Sequence, residues 1–412
     1  MPSPSAQAAG SHWSTEIRLG YDSFSHDYRV IDRDTTNAFS EGSARISVGY
    51  RPGPDDHPLL ETEAQFFLGR DYWQADLKID RSLRSGRAWA LRAEGDVRQY
   101  LSSSSLSFSN DHVQGEVEGR FRRALAPGVE LEVGDRVAGI GYAERTDFFY
   151  DSITHDARAS LRVGDILTHM LDLDLTHRDF FVPDSASIEY VSEALAAEYF
   201  CMPGATTMLT TRASVEWRRY AGGSPRSDFT RTESDLQFEW GCTDRTSLET
   251  SLDVAVERYG KNDPVYYDSE TITLKAGPAF QVTDRWDVKV LPGAELYHVS
   301  PPEGDGAADD AEVLFYIQES YREFVLEVAS DAFWLPRFWC DCTARVGHRE
   351  YESSEAAIDS DYWYLDLSFL AEVTLWDGIR LDVTGLFSPE KHRNPEDNTA
   401  TNVLSVYLGY RF

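Results

Sequence analysis

Three things are scarce in this chain of 412 residues: cysteine, basic charge and long apolar runs. Four cysteines are too few for a disulfide-built scaffold. None stands in Cys-x-x-Cys or Cys-x-x-Cys-His spacing, which removes thioredoxin-type redox chemistry and covalently attached haem. Cys340-Asp341-Cys342 is too tight for a zinc knuckle. Lys and Arg number 39 against 70 Asp and Glu, a net charge of −31. So acidic a chain is a poor nucleic-acid binder, because neutralising phosphates needs clustered bases. No run of about 20 apolar residues exists, so no helix is available to span a bilayer. Strands stay open, since a spanning strand needs only ~9–11 residues with every second one apolar.

Motifs of common chemistry are missing as well. There is no Gly-x-Ser-x-Gly elbow, no Gly-x-Gly-x-x-Gly turn, no phosphate loop and no His-Glu-x-x-His. The ten His are scattered, and His177 and His348 fall near expected strand ends. No catalytic residue, metal ligand or cofactor site is nominated. The acid-rich stretches 303–312 and 352–361 lack EF-hand spacing and read as solvated loops.

Aromatics, by contrast, are plentiful at 13%, which excludes an acidic disordered chain. The dominant signal is period-2 alternation from end to end. Trp73, Ala75, Leu77 and Ile79 alternate with Gln74, Asp76, Lys78 and Asp80. Leu248, Leu252, Val254 and Val256 alternate with Glu249, Ser251, Asp253 and Glu257. Such runs predict strands with one apolar and one polar face. Short turns rich in Gly, Pro or Asp, such as Ala126-Pro-Gly128 and Trp376-Asp-Gly378, alternate with longer polar loops such as Asp27–Asn37 and Ala221–Phe229. Strands entering the long loops end in Arg plus an aromatic: Arg98/Tyr100, Arg145/Phe148, Arg178/Phe180, Arg219/Tyr220, Arg258/Tyr259 and Arg349/Tyr351. The spacing of roughly 40 residues is one hairpin with its connections, longer-stranded than a propeller blade.

The alternation predicts an all-β, antiparallel, up-and-down transmembrane barrel of about 20 strands, between 18 and 22, with no plug domain. The uncertain stretch is Glu312–Trp334, where the apolar parity switches between Ile317 and Phe324. The polar faces are densely charged and no helical pattern is available to cover the apolar ones. A closed barrel has no edges and needs no cover where lipid wets its outside. Residues 1–10 read as a signal-peptide remnant or disordered tail, because Ala6-Gln7-Ala8 fits the small-x-small residues before a signal-peptidase cut. Residues 11–412 then form one barrel domain.

The charged face supplies the candidate pore lining: Glu61, Glu63, Asp76, Arg92, Glu94, Asp96, Glu116, Glu118, Arg120, Asp172, Asp174, Arg212, Glu233, Asp235, Glu249 and Asp253. Mixed signs on neighbouring strands predict cross-strand ladders that brace the wall. The acidic surplus predicts a preference for cations. Cys201 and Cys242, both beside short turns, are candidates for a disulfide bridge in an oxidising compartment.

The last residues alternate once more: Leu404, Val406, Leu408, Tyr410 and Phe412 share one face. This ending resembles the assembly signal of bacterial outer-membrane barrels. The whole chain, with hairpins such as Thr243–Tyr259, looks like the porin-like outer-membrane barrels. That resemblance implies residence in the outer membrane among lipid and lipopolysaccharide, and insertion by the barrel-assembly machinery. The function expected is a channel for passive passage of polar solutes or ions. Two other readings share the fold. One is a conduit that houses or docks a periplasmic or lumenal partner, for exopolysaccharide secretion or an electron-transfer cytochrome. The other is an outer-membrane enzyme with groups assembled across strands.

Overall fold

The computed structural model describes residues 12–30, 33–51, 61–69, 72–81, 89–100, 110–145, 149–165, 168–183, 188–222, 224, 226–260, 268–300, 319–333, 337–352, 361–376, 378–393 and 398–411. The middle residue of the turn expected at Trp376–Gly378 lies outside these residues. So do residues 1–10, Phe412 and most of the two acid-rich stretches.

Twenty strands occupy the described residues, with no α-helix among them. They are β1 (His12–Val30), β2 (Arg33–Arg51), β3 (Glu61–Leu68), β4 (Tyr72–Arg81) and β5 (Trp89–Tyr100). There follow β6 (His112–Ala126), β7 (Val129–Tyr142), β8 (Ser152–Asp165), β9 (His169–Phe181) and β10 (Tyr190–Gly204). Next come β11 (Thr207–Tyr220), β12 (Phe229–Thr243), β13 (Thr246–Tyr259), β14 (Asp268–Thr283) and β15 (Trp286–Ser300). The chain finishes with β16 (Tyr321–Phe333), β17 (Phe338–Tyr351), β18 (Tyr362–Trp376), β19 (Ile379–His392) and β20 (Thr399–Arg411). Each strand pairs antiparallel with the next, and β20 returns to β1, opposing Arg411 to Glu16 and Ala400 to Asp27. One sheet is thereby closed on itself and leaves no edge.

Register follows the alternation. Leu252 stands opposite Leu236 on one side and Leu274 on the other, while Asp253 stands between Asp235 and Thr273. A slip of one residue would turn every carboxylate to the apolar side. The charged face is the concave one, because its side chains meet across an intervening strand. Lys275 on β14 reaches Glu327 on β16 at 2.7 Å, and Lys289 on β15 reaches Glu249 on β13 at 2.9 Å. Glycine on the strand between makes room for such reaches. A Cβ on Gly293 would come within 2.8 Å of Lys275 Cγ, and one on Gly347 would overlap the Tyr364 ring.

The apolar rows therefore face outward. Leu19, Leu77, Val113, Leu175, Leu195, Leu274 and Leu408 are all exposed. Among the described residues the buried apolar side chains are few: Val182, Val325, Ala332, Tyr362 and Tyr364. The fold is held by its ladder of backbone hydrogen bonds, with its apolar surface wrapped around the outside. In water so large an exposed patch is untenable; in hydrocarbon it is the solvent-facing side.

Two expectations are revised. Asp27–Asn37 is not a loop: β1 and β2 stay paired through it, from Asp27 opposite Thr36 to Val30 opposite Arg33. Beyond the apolar belt both faces of a hairpin meet water, so polar residues carry no loop signal there. Of the uncertain stretch Glu312–Trp334, residues 312–318 and Trp334 lie outside the described residues; β16 begins at Tyr321, and from there Phe324 and Leu326 face outward and Glu323 and Val325 inward. The bridge between Cys201 and Cys242 is not made, and all four thiols are free. Cys201 opposes Leu209 on β11, which in turn opposes Phe238 on β12. A whole strand separates the two sulfurs, and two spacings of ~4.8 Å exceed the ~7 Å Cα limit for a bridge. Cys340 and Cys342 share one outward face, with sulfurs 3.3 Å apart.

Candidate functional site

The candidate site is the inner wall. Cross-strand pairing carries one parity from β3 to β13 and puts all sixteen nominated residues on that wall. They do not converge on a single point. They line successive strands, most of them within ion-pair ladders.

The ladder is best developed from β6 to β9. Arg136 on β7 bonds Glu116 at 2.5 Å and Asp156 at 3.1 Å, and Arg178 on β9 bonds the same Asp156 at 2.6 Å. Arg122 meets Glu132 at 2.7 Å, Arg162 meets Asp172 at 2.9 Å and Arg158 meets Asp174 at 2.7 Å. Arg136, Asp156 and Arg178 were not nominated, although they obey the same alternation. Interleaved with these pairs are like-charged neighbours. Asp76 opposes Asp96, Glu94 opposes Glu116, Asp235 opposes Asp253 and Glu239 opposes Glu249. Carboxylates facing one another across a strand pair repel.

A second feature went unread between Ile317 and Phe324. Glu323 on β16 is 1% exposed. It accepts from Arg345 at 2.7 Å, from Arg349 at 2.6 Å and from the Tyr364 hydroxyl. Arg349 also lies over the Tyr321 ring at 4.0 Å and the Tyr362 ring at 5.5 Å.

These rings belong to an aromatic collar at the long-loop end of the lumen. Phe180 stacks on Tyr190 at 5.0 Å, Tyr297 on Tyr321 at 5.0 Å, and Tyr362 on His392 at 4.6 Å. From Phe180 to Tyr351 the aromatics of the Arg-plus-aromatic repeat belong to this collar, while Phe148 and the Tyr100 side chain lie outside what is described. An Arg two positions before the aromatic shares its inward face, and Arg218 caps the rings of Tyr190 and Phe229 at 4.4 and 4.8 Å. The adjacent Arg219 and Arg258 point outward instead, toward Glu193 and Glu270.

At the level of the collar the bases of five long loops are tied by the same kind of bond. The backbone N–H of Tyr142, Tyr220, Tyr259 and Tyr351 donates to Asp151, Asp228, Asp268 and Asp361 at 2.8, 2.7, 2.8 and 2.9 Å. His392 donates likewise to Asn398 at 2.8 Å. At Asp151 this N–H, with Arg145 beside it, holds the carboxyl below the usual carboxylate range.

The described strands enclose a wide, charge-lined lumen, since barrels of 16–18 strands already have room inside for an aqueous channel. No protein-family model matches the chain, and no curated protein matches it. Solved structures do. The outer membrane protein OpdK of Pseudomonas aeruginosa is similar at 12% identity and a TM-score of 0.53, over 97% of this chain and 99% of that one. The siderophore receptor PirA of the same organism is similar at 12% identity and a TM-score of 0.54, over 96% of this chain and 80% of that one. The ferric yersiniabactin uptake receptor FyuA of Yersinia pestis gives 9% identity and 0.53, over 98% and 81%. In fold the chain is similar to these outer-membrane β-barrels. Among them the closed ring without a plug among the described residues is porin-like, matching OpdK over nearly all of both chains.

Proposed function

We propose that this protein is a passive channel of the bacterial outer membrane for small polar or ionic solutes, biased toward cations. The observation that carries the bias is the series of facing carboxylates, Asp76 with Asp96, Glu94 with Glu116, Asp235 with Asp253 and Glu239 with Glu249. Glu94, Glu116 and Glu249 are partly offset by Arg92, Arg136 and Lys289; the acidic surplus of the other members draws mobile cations into the lumen. On the same reading the apolar exterior takes outer-membrane lipid and lipopolysaccharide. The outward row Leu404, Val406, Leu408 and Tyr410 is presented to the barrel-assembly machinery.

The purified protein in planar bilayers tests this directly. A KCl gradient gives a reversal potential of the sign for K⁺ over Cl⁻, weakening toward 1 M salt, where the Debye length falls to ~3 Å. Anion preference at low salt contradicts the bias. A silent bilayer contradicts the channel and favours a conduit filled by a periplasmic or lumenal partner.

A further inference from the structure

One arc of the inner wall breaks the rule that inward positions are polar. On β18, β19 and β20 the sequence places two apolar residues in succession: Phe369-Leu370, Leu386-Phe387 and Val403-Leu404. Alternation sends one of each pair inward. Phe369, Phe387 and Leu404 go to the lipid side, while Leu370, Leu386 and Val403 go to the lumen. Leu386 stands directly opposite Val403, and Val403 directly opposite Phe24 of β1, also inward. Leu370 lies on the diagonal from Leu386, whose direct partner on β18 is Ser368. Leu370 and Leu386 are each 37% exposed, so the strip is open. It crosses four neighbouring strands, about 14 Å of wall at ~4.8 Å per strand.

Carboxylates border the strip on both sides. Asp366 stands toward the long loops; Asp22, Glu372 and Asp382 stand toward the short turns. Asp22 accepts from the Tyr407 hydroxyl at 2.6 and 2.8 Å, and Asp366 from the Ser388 hydroxyl. These neutral donors orient the carboxylates and leave their charge in place. Arg345, opposite Asp366, is committed to Glu323. Arg380 serves Asp382 and Glu372 together, at 3.0 and 3.5 Å, one cation for two anions.

We propose that this strip binds the apolar part of amphipathic organic cations, solutes carrying an alkyl or aryl group beside an ammonium centre, and guides them through the lumen. The proposal rests on the channel reading. Apolar side chains at the wall of a wet lumen give a hydrocarbon group somewhere to leave water, and the bordering carboxylates face its charge.

Two cations of equal charge separate the apolar term from the electrostatic one. In planar bilayers, benzyltrimethylammonium should block the K⁺ current at a concentration about tenfold lower than tetramethylammonium, the gain expected from partial burial of one ring. The double variant Leu386→Ser/Val403→Ser should lose that ratio and keep its K⁺ conductance. Asp366→Asn should weaken block by both cations alike. Equal block of the wild type by the two cations overturns the proposal, as does stronger block by benzenesulfonate, which would assign the strip to anions. Calorimetric titration of the detergent-solubilised barrel makes the same comparison without a current. A silent bilayer with the binding ratio intact refutes the channel and keeps the strip. A conducting pore with no ratio does the reverse.

Discussion

Glu323 is the most enclosed carboxylate described in this barrel, and what encloses it is polar. Two guanidiniums and a phenol occupy its oxygens, and the Tyr364 ring covers it across Gly347. Removing the carboxylate leaves Arg345 and Arg349 packed together without their shared anion, and breaking such an enclosed pair costs about 3 kcal/mol. Glu323→Ala should lower the barrel's resistance to guanidinium in lipid vesicles by that amount, with Glu323→Gln falling between. Unchanged unfolding of both variants would show that lumen water replaces the carboxylate. The outer wall presents the opposite case. Asp135 lies between the exposed Val133 and Val137 on the lipid side and meets His155 Nε2 at 2.7 Å. Its side chain is 66% exposed. A lone carboxylate at that depth costs about 2 kcal/mol. His155 also meets Asp179 at 3.5 Å, which His177 holds at 3.3 Å; His155→Leu should therefore destabilise the barrel, while Asp135→Leu/His155→Leu, with Asp179 still held by His177, should recover most of the loss in the same unfolding assay. A double variant weaker than the single one would mean that the pair serves an interface.

At the scale of strands and loops, the tie at the base of five long loops predicts a local effect. Tyr142 donates its N–H to Asp151, as Tyr259 does to Asp268. In Asp151→Ala the Tyr142 amide should exchange faster by about tenfold, the equivalent of one lost hydrogen bond, while Tyr259 is unaffected. Asp151→Asn, which keeps the acceptor oxygen, should restore protection. Because the Asp151 carboxyl is held below its ordinary value, its contribution is present above the ordinary value and fades as pH falls through the depressed one. Equal exchange in all three forms would show that the Tyr142 amide is protected by something other than this carboxylate. The strands themselves were legible in the sequence, because one face in lipid and one in water write strict alternation into rows such as Leu248–Val256. The ties were not, because an aspartate before a strand looks like any turn residue until its distant N–H partner is known. The β1–β2 extension was hidden for a related reason. Above the apolar belt both faces are wet, and Thr35 and Thr36 signal loop and strand alike. The lumen strip was present in Leu386-Phe387 and Val403-Leu404, but two apolar neighbours read as noise until the register fixes which one points inward.

For the molecule as a whole, the decisive link is the one joining its two ends. Nineteen of the twenty pairings connect neighbours in sequence and would form equally well in an open, curled sheet. Only β1 with β20 makes a barrel, and it does so over twelve consecutive residue pairs from Glu16–Arg411 to Asp27–Ala400. An open sheet in hydrocarbon would leave the backbone groups of both edge strands without partners, each at a cost of several kcal/mol. Closure is therefore required of any form that enters the membrane. The seam can be tested at Leu19 and Leu408, which oppose one another on the outward face. In a background with the four native cysteines replaced by serine, Leu19→Cys/Leu408→Cys should oxidise to a single intramolecular bridge, because directly opposed strand residues lie within disulfide reach at ~4.5–5.5 Å. After a heating step that unfolds the unbridged barrel, unreduced protein should then run faster on a gel than the same sample reduced before heating. Pairing Leu19→Cys instead with Val383→Cys, which opposes Val406 one strand further on, should give no bridge. Bridging in both variants, or in neither, would mean that the ends of the chain do not meet in this register.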